Sequence, residues 1–343
     1  MPLSLISNDK QKRSGISRAE IADLYYNCPT DELMSMGQRI TVQYHGKSIL
    51  LRGLVEFSNY CDRSCLYCGI RKENNNVERY RLDKNQILEI VKLGYERGLR
   101  TFVLQGGEDS YFSTDYLCEI TKAVKDYTGD NAALTLSCGI QSRSQYRELA
   151  DAGADRYLIR FETANPELHS YIRQSIPLSK RLKAIETLQE EGFQVGSGFM
   201  IGLPNETDED RIDNIMLAGK LELGMAGIGP FIPHPDTPLA HSLQNPIELS
   251  VRATALLRMV LPKTHIPATT AAGTLDPQGR EMMIQAGANV LMPNITPIEA
   301  KRNYLLYPGK ICLDESGIQC IGCLSIRVKP LDRELSFAKG DTL

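Results

Sequence analysis

A single unit recurs along most of this chain: an amphipathic helical stretch, a glycine at its C-terminal end, then a short apolar run. Five copies are plain, namely GLRTFVLQGG from Gly98, GADRYLIRFE from Gly153, GFQVGSGFMIG from Gly192, GMAGIGPFIP from Gly224 and GANVLMP from Gly287. LLRGLVEFS, ALTLSCG and HIPATTAAG are weaker copies and bring the strand candidates to eight. The runs are continuous rather than alternating, as parallel strands buried on both faces require. Between them, stretches such as 86–97 and 178–190 repeat apolar residues at helical spacing. Eight βα units fit a closed (β/α)8 barrel or an open doubly wound sheet. No GxGxxG follows the first strand and a cysteine-rich loop does, so the expected fold class is α/β, a TIM-type (β/α)8 barrel. The expected organisation is an N-terminal helical extension over 1–45, with Ser17 capping RAEIADLYY, a barrel over 46–300, and a C-terminal cysteine-containing extension over 301–343. Residues after about 324 read as a tail.

Charge narrows the function. With 39 basic and 42 acidic residues in 343, the net charge of -3 gives no field to attract nucleic acid or an anionic membrane. Small-molecule chemistry is expected, with no nucleic-acid or membrane partner. Charged residues near the start, and the lack of an 18-residue apolar run, suggest a cytoplasmic protein. In that setting nine cysteines point to metal or redox chemistry rather than disulfides. Six form two groups, Cys61/Cys65/Cys68 and Cys312/Cys320/Cys323, while Cys28, Cys118 and Cys138 are scattered and read as packing residues.

The first group reads C-x3-C-x2-C and follows the first strand directly, where a barrel places its active site. Thiolates suit iron–sulfur clusters or zinc. Structural zinc wants a fourth ligand nearby, and His45 belongs to another segment. A 4Fe–4S cluster with one open iron fits three cysteines; incidental cysteines or a zinc knot are the alternatives.

Other strand ends carry polar residues. Gly106-Gly107-Glu108 lets backbone approach a ligand, although paired glycines after a strand are usually a turn. Arg160, Glu162 and Arg181 can clamp a zwitterionic amino acid, the alternative being an internal Arg160–Glu162 salt bridge. Thr269 and Thr270 offer donors for a small carboxylate, or ordinary turn chemistry. His234, in a proline-stiffened loop, reads as a hydrogen-bonded residue before an acid or a ligand. Cys312-x7-Cys320-x2-Cys323 can hold a second iron–sulfur cluster (2Fe–2S or 4Fe–4S), zinc, or nothing.

The C-x3-C-x2-C loop with aromatic Tyr67 before its last cysteine resembles the radical S-adenosylmethionine (SAM) superfamily. Across roughly residues 47 to 325 the segments EFSNYC, CLYCGIRKEN, RYRL, GED, AGADRYL, ETANPELH, GPFIPHPDTPLA, IPATTAAGT, GANVLMPN and LYPGKIC closely resemble the HydE family of FeFe-hydrogenase maturases. The resemblance implies that SAM chelates the open iron and is reductively cleaved to methionine and a 5'-deoxyadenosyl radical. It implies an organometallic substrate, a cysteine-bound iron dicarbonyl cyanide synthon on the way to the diiron subcluster (H-cluster assembly). It also implies hydrogenase maturation partners and an external electron donor. It assigns SAM contacts to Tyr67, Gly107, Glu108, Ser137, Glu162 and Arg181, and an anion or substrate cavity to Arg160, Thr269, Thr270, Met292, Tyr304 and Tyr307.

Two positions depart from the family pattern: Phe161 stands where histidine is usual, and Gly106 where serine is usual. Both are expected to remove polar groups near the cavity. The alternatives are a radical SAM enzyme of the biotin synthase or methylornithine synthase type acting on a small amino-acid-like molecule, and a non-enzymatic iron–sulfur scaffold or electron carrier. A scaffold has no need of the Arg160, Glu162 and Arg181 clamp.

Overall fold

In the structure, a computed structural model that describes residues 15–342 except position 175, the eight apolar runs close into one ring of parallel strands. The first run is interrupted at Arg52, giving β1 (Ser48–Leu51) and β2 (Gly53–Ser58). Then follow β3 (Thr101–Gly106), β4 (Ala133–Ser137), β5 (Arg156–Leu158), β6 (Gln194–Ser197) with β7 (Met200–Ile201), β8 (Met225–Ala226) with β9 (Gly229–Pro230), and β10 (Val290–Leu291). Pairing runs β2-β3-β4-β5-β6-β8 in chain order. The seventh run contributes only single bridges, His265 to Met225 and Pro267 to Val290. β10 pairs with β1, and Asn294 bridges Leu54, which closes the barrel and excludes the open sheet.

Helices fill the connections: α3 (Lys84–Glu96), α4 (Thr114–Thr128), α5 (Arg143–Asp151), α6 (Pro166–Arg173), α7 (Leu178–Glu190), α8 (Asp208–Lys220), α9 (Ile247–Val260), α10 (Thr270–Leu275), α11 (Gly279–Gln285) and the short α12 (Ile298–Lys301). Strand residues facing the helices, among them Val55, Phe57, Phe102 and Leu136, form the main core and are at most 1% exposed. Before the barrel, α1 (Arg18–Asn27) starts at the expected Ser17 capping box. α2 (Thr30–His45) then lies along α9, where Gly37 lets its backbone reach the Ala286 carbonyl. The part of the expected N-terminal extension before residue 15 lies outside the described residues.

The end of the chain is more than a tail. After α13 (Gly317–Val328), β11 (Glu334–Ser336) pairs in parallel with β1, and residues 339–342 cross the lower end of the barrel. There the Lys339 and Gly340 carbonyls each accept from Arg156 Nη2 at 3.0 Å, and Asp341 pairs with the same atom at 2.8 Å. Arg156 and Arg52, both inside the barrel, need acceptors that the short strands do not supply.

Candidate active site

At the upper end, the cysteine loop after β2 is fixed mainly by two arginines. Arg79 donates to the carbonyls of Asn59, Ile70, Arg71 and Asn74, and Arg71 to those of Ser64 and Cys65. So tied, the loop turns Cys61, Cys65 and Cys68 into a cavity of about 310 Å3. Burial pushes all three thiols up from their ordinary pKa. As a set their sulfurs spread beyond 4.8 Å among the described residues. Three thiols leave a single zinc short of a fourth protein ligand, whereas a 4Fe–4S cluster can keep one iron open.

The same cavity is lined by Tyr67, Gly107, Glu108, Ser137, Arg160, Glu162, Arg181, Thr269, Tyr304 and Tyr307, all expected from the sequence. Thr270 and Met292 are not among its lining residues. Thr270 instead opens α10, whose N-cap is Thr269.

Glu108 is engaged within the chain. Its Oε2 accepts from Arg63 Nε at 2.6 Å, and its Oε1 from Arg173 at 3.0 Å and Arg181 at 3.1 Å. Gly139, at φ +84°, makes room, since a Cβ there would lie 2.4 Å from Glu108 Cγ. Glu108 therefore organises three guanidiniums at the cavity edge. Arg173 escaped the sequence reading; its one signal was an arginine on the apolar face of α6, four residues after His169 and next to Ile172.

Glu162 has the left-handed φ of 65°, a strained conformation for glutamate of a kind concentrated at functional sites. Its Oε1 accepts from Tyr67 at 3.1 Å. Arg160 Nε lies 3.1 Å from Oε2, so the internal ion pair considered from the sequence is present. The contact is misaligned for a hydrogen bond, however. Arg160 Nε and Nη2 and Glu162 Oε2 remain buried without hydrogen-bond partners within the chain. Such atoms are costly unless a ligand supplies what is missing.

Phe161 faces away from this cavity, and Gly106 lines it with backbone alone. Phe161 is fully buried, with its ring 5.5 Å from Phe199 in the core, and a Cβ on Gly106 would meet the Phe57 ring at 2.8 Å. The expectation that they strip polar groups from the cavity is thus corrected: the side chain at 161 sits in the core, and one at 106 would point at the Phe57 ring. His234 packs on Gly69, with Nδ1 accepting from the Asp236 N–H at 3.1 Å, as a hydrogen-bonded loop histidine.

In the second cysteine group, Cys312, Glu315 and Cys320 bring ligand atoms within 4.8 Å of one another, and Cys323 is not part of that set. The interaction with Cys320 lowers the Cys312 thiol to about 6. A larger groove, about 820 Å3, opens at the other end of the barrel beside Ile16, Phe193 and Thr342. Its charged Arg18 is already paired with Glu209 and Asp213.

Residues 55–218 match the radical SAM superfamily. The chain is 43% identical over 304 residues to the FeFe-hydrogenase maturase subunit HydE of Thermotoga maritima, covering 89% of this chain and 86% of that one. The chain belongs to the HydE family. It is thus a radical SAM enzyme, and membership implies a 4Fe–4S cluster and SAM, which the three cysteines and the Arg160 and Glu162 atoms without hydrogen-bond partners fit. Similarity to the 3-methylornithine synthase of Methanosarcina acetivorans is lower, 26% over 293 residues, with 84% and 79% of the two chains covered. In fold, the crystal structure of methylornithine synthase superposes with a TM-score of 0.81 at 22% identity, over 93% of this chain and 94% of that one. That likeness supports the barrel fold. No helix among the described residues is long and apolar enough to cross a membrane.

Proposed function

We propose that this enzyme acts in FeFe-hydrogenase maturation, on a cysteine-bound iron carbonyl cyanide synthon used to assemble the diiron subcluster. The observation that carries the reading is the set of buried atoms without hydrogen-bond partners, Arg160 Nε and Nη2 and Glu162 Oε2, in the cavity that the three cysteines line. A scaffold or electron carrier needs no such clamp. The 43% identity to a HydE subunit, against 26% to a methylornithine synthase, favours the maturase over the other radical SAM chemistry.

Cys61, Cys65 and Cys68 would hold the 4Fe–4S cluster, which with SAM supplies a 5'-deoxyadenosyl radical on reduction by an external donor. Glu162, Arg181, Ser137, Tyr67 and Gly107 are the SAM contacts in this reading, with Glu108 holding Arg173 and Arg181 in place. Arg160 orients the substrate carboxylate by charge-assisted hydrogen bonds, with Thr269 and the tyrosine hydroxyls beside it. The buried walls exclude water and stray hydrogen donors from the reacting atoms. Cys312 and Cys320, with Cys323 or Glu315, are assigned to a second iron–sulfur site outside the cavity, not required for SAM cleavage. Maturation partners deliver and accept the organometallic substrate.

The test is to reconstitute the protein anaerobically with iron and sulfide, add dithionite and SAM, and measure 5'-deoxyadenosine with and without the synthon. Synthon-stimulated cleavage with adenosyl transfer to its sulfur is expected. Cleavage indifferent to the synthon would overturn the substrate assignment, and none from cluster-loaded protein would return the scaffold.

A further inference from the structure

Tyr304, Leu306 and Tyr307 line the cavity, yet they come from a segment that belongs to no strand of the barrel. The Gly69 N–H donates to the Leu306 carbonyl at 3.0 Å, and the Asn59 side chain to the Asn303 carbonyl at 2.7 Å. The strongest tie comes from Lys310. Its Nζ reaches into the barrel and pairs with Glu56 Oε1 at 2.6 Å, while also donating to the Tyr304 carbonyl at 3.0 Å. The two side chains are only 8% and 3% exposed. Asn294 Nδ2 occupies the other Glu56 oxygen at 2.7 Å, so the carboxylate has one orientation.

We propose that Lys310 is a positioning residue of the substrate cavity: its ion pair with Glu56 on β2 sets where Tyr304 and Tyr307 stand. A buried ion pair adds little net stability over an apolar pair of the same volume, so its contribution here is geometric. The bond to the Tyr304 carbonyl places that ring so that its hydroxyl accepts from Gln105 Nε2 at 3.2 Å, on the strand next to β2. One residue after Lys310, the Ile311 N–H donates to Thr274 Oγ1 at 3.3 Å, and the Tyr307 hydroxyl interacts with the same threonine. Lys310 thus pins the segment between its two cavity tyrosines and Cys312. Neither Lys310 nor Glu56 lines the cavity, so the effect passes through the tyrosines.

The inference rests on the substrate reading above for its kinetic part alone. The test compares the parent with Lys310→Met and with the double variant Glu56→Gln/Lys310→Met, which removes both charges and so avoids a stranded buried carboxylate. Hydrogen exchange over 302–313 is expected to speed up by about tenfold or more, with β2 to β5 unchanged. SAM cleavage without substrate should stay within about twofold of the parent, while KM for the synthon rises by about tenfold and kcat changes little. A folded double variant with parental KM overturns the proposal. If the parent itself ignores the synthon, the substrate reading fails, and exchange then decides: parental protection over 302–313 overturns the role given to Lys310.

Discussion

The two ends of this barrel both bury guanidinium atoms, and they differ in what surrounds them. At the upper end Arg160 keeps Nε and Nη2 without hydrogen-bond partners in a cavity of about 310 Å3, with only the Glu162 carboxylate 3.1 Å from Nε. At the lower end Arg52 and Arg156 are 1% and 3% exposed, and their Nη atoms are taken up by the chain's own last residues and by Met225, which leaves the Nε of each without a hydrogen-bond partner. The space left beside them is about 10 Å3, room for one water at most. A buried cation is therefore no pointer to a ligand by itself. The pointer is open donors with space in front of them, which Arg160 Nη2 has and the Nε atoms of Arg52 and Arg156 do not.

The contrast breaks most directly at the cysteine loop. Cys65→Ala is expected to lower SAM cleavage by about 10³-fold or more in anaerobically reconstituted protein, because removing one member of a set that acts together removes the function. A variant that still forms 5'-deoxyadenosine would sink the assignment. Next in size, Arg181→Met should raise the KM for SAM by about 10- to 100-fold, the loss of a charge-assisted hydrogen bond. Arg160→Met should do the same for the synthon while leaving substrate-free SAM cleavage nearly intact. Equal effects of both variants on SAM would merge the two subsites into one.

Much of the upper end was legible because chemistry and position coincide there: thiols and charged residues fall at the ends of continuous apolar runs, where a parallel barrel opens its active site. The seventh strand was weak in sequence and is weak in structure, reduced to single bridges around His265 and Pro267. The sidedness of Phe161 was not recoverable from two-residue alternation, because residues 159–161 lie beyond the end of β5 and Leu158, Ile159 and Arg160 all line the cavity. Nor could long-range pairing be read. That Glu108 would gather Arg63, Arg173 and Arg181, or that residues 339–342 would satisfy arginines on β5 and before β2, depends on contacts between segments up to 288 residues apart.

At the lower end, ending the chain after Ser336 should cost about 3–5 kcal/mol in chemical denaturation, because it leaves buried guanidiniums without acceptors. Asp341→Asn should cost about 1 kcal/mol or less, since that carboxylate is 59% exposed and solvent screens its pair with Arg156. Neither change should move the KM for SAM. Acid should act on this end as well. Burial, with Arg52 nearby, holds His265 down to about 3, and burial, with Arg258 nearby, holds His45 to about 4. Below about 6.5 the unfolded chain takes up protons that these native histidines refuse. Their stabilisation is therefore complete above that pH and is lost as pH falls towards 4, by about 1.4 kcal/mol per unit for each group. His265→Asn should flatten the decline of Tm over pH 6.5 to 4; an unchanged slope would show that other groups carry the acid sensitivity.

The smallest effect is expected at the second cysteine group, and it separates position from residue type. Cys312 and Cys320 come closer together than the first three cysteines do as a set, with Glu315 beside them, so by ligand geometry alone they make the better single-metal site. None of them lines the cavity. Replacing both Cys320 and Cys323 with serine should therefore remove iron bound beyond one 4Fe–4S cluster, read by iron and sulfide analysis. It should leave SAM cleavage within about twofold of the parent. If cleavage collapsed while the protein stayed folded and the first cluster stayed loaded, the second site would have to take part in the chemistry, and the division of this molecule into a reacting upper cavity and a supporting periphery would fail.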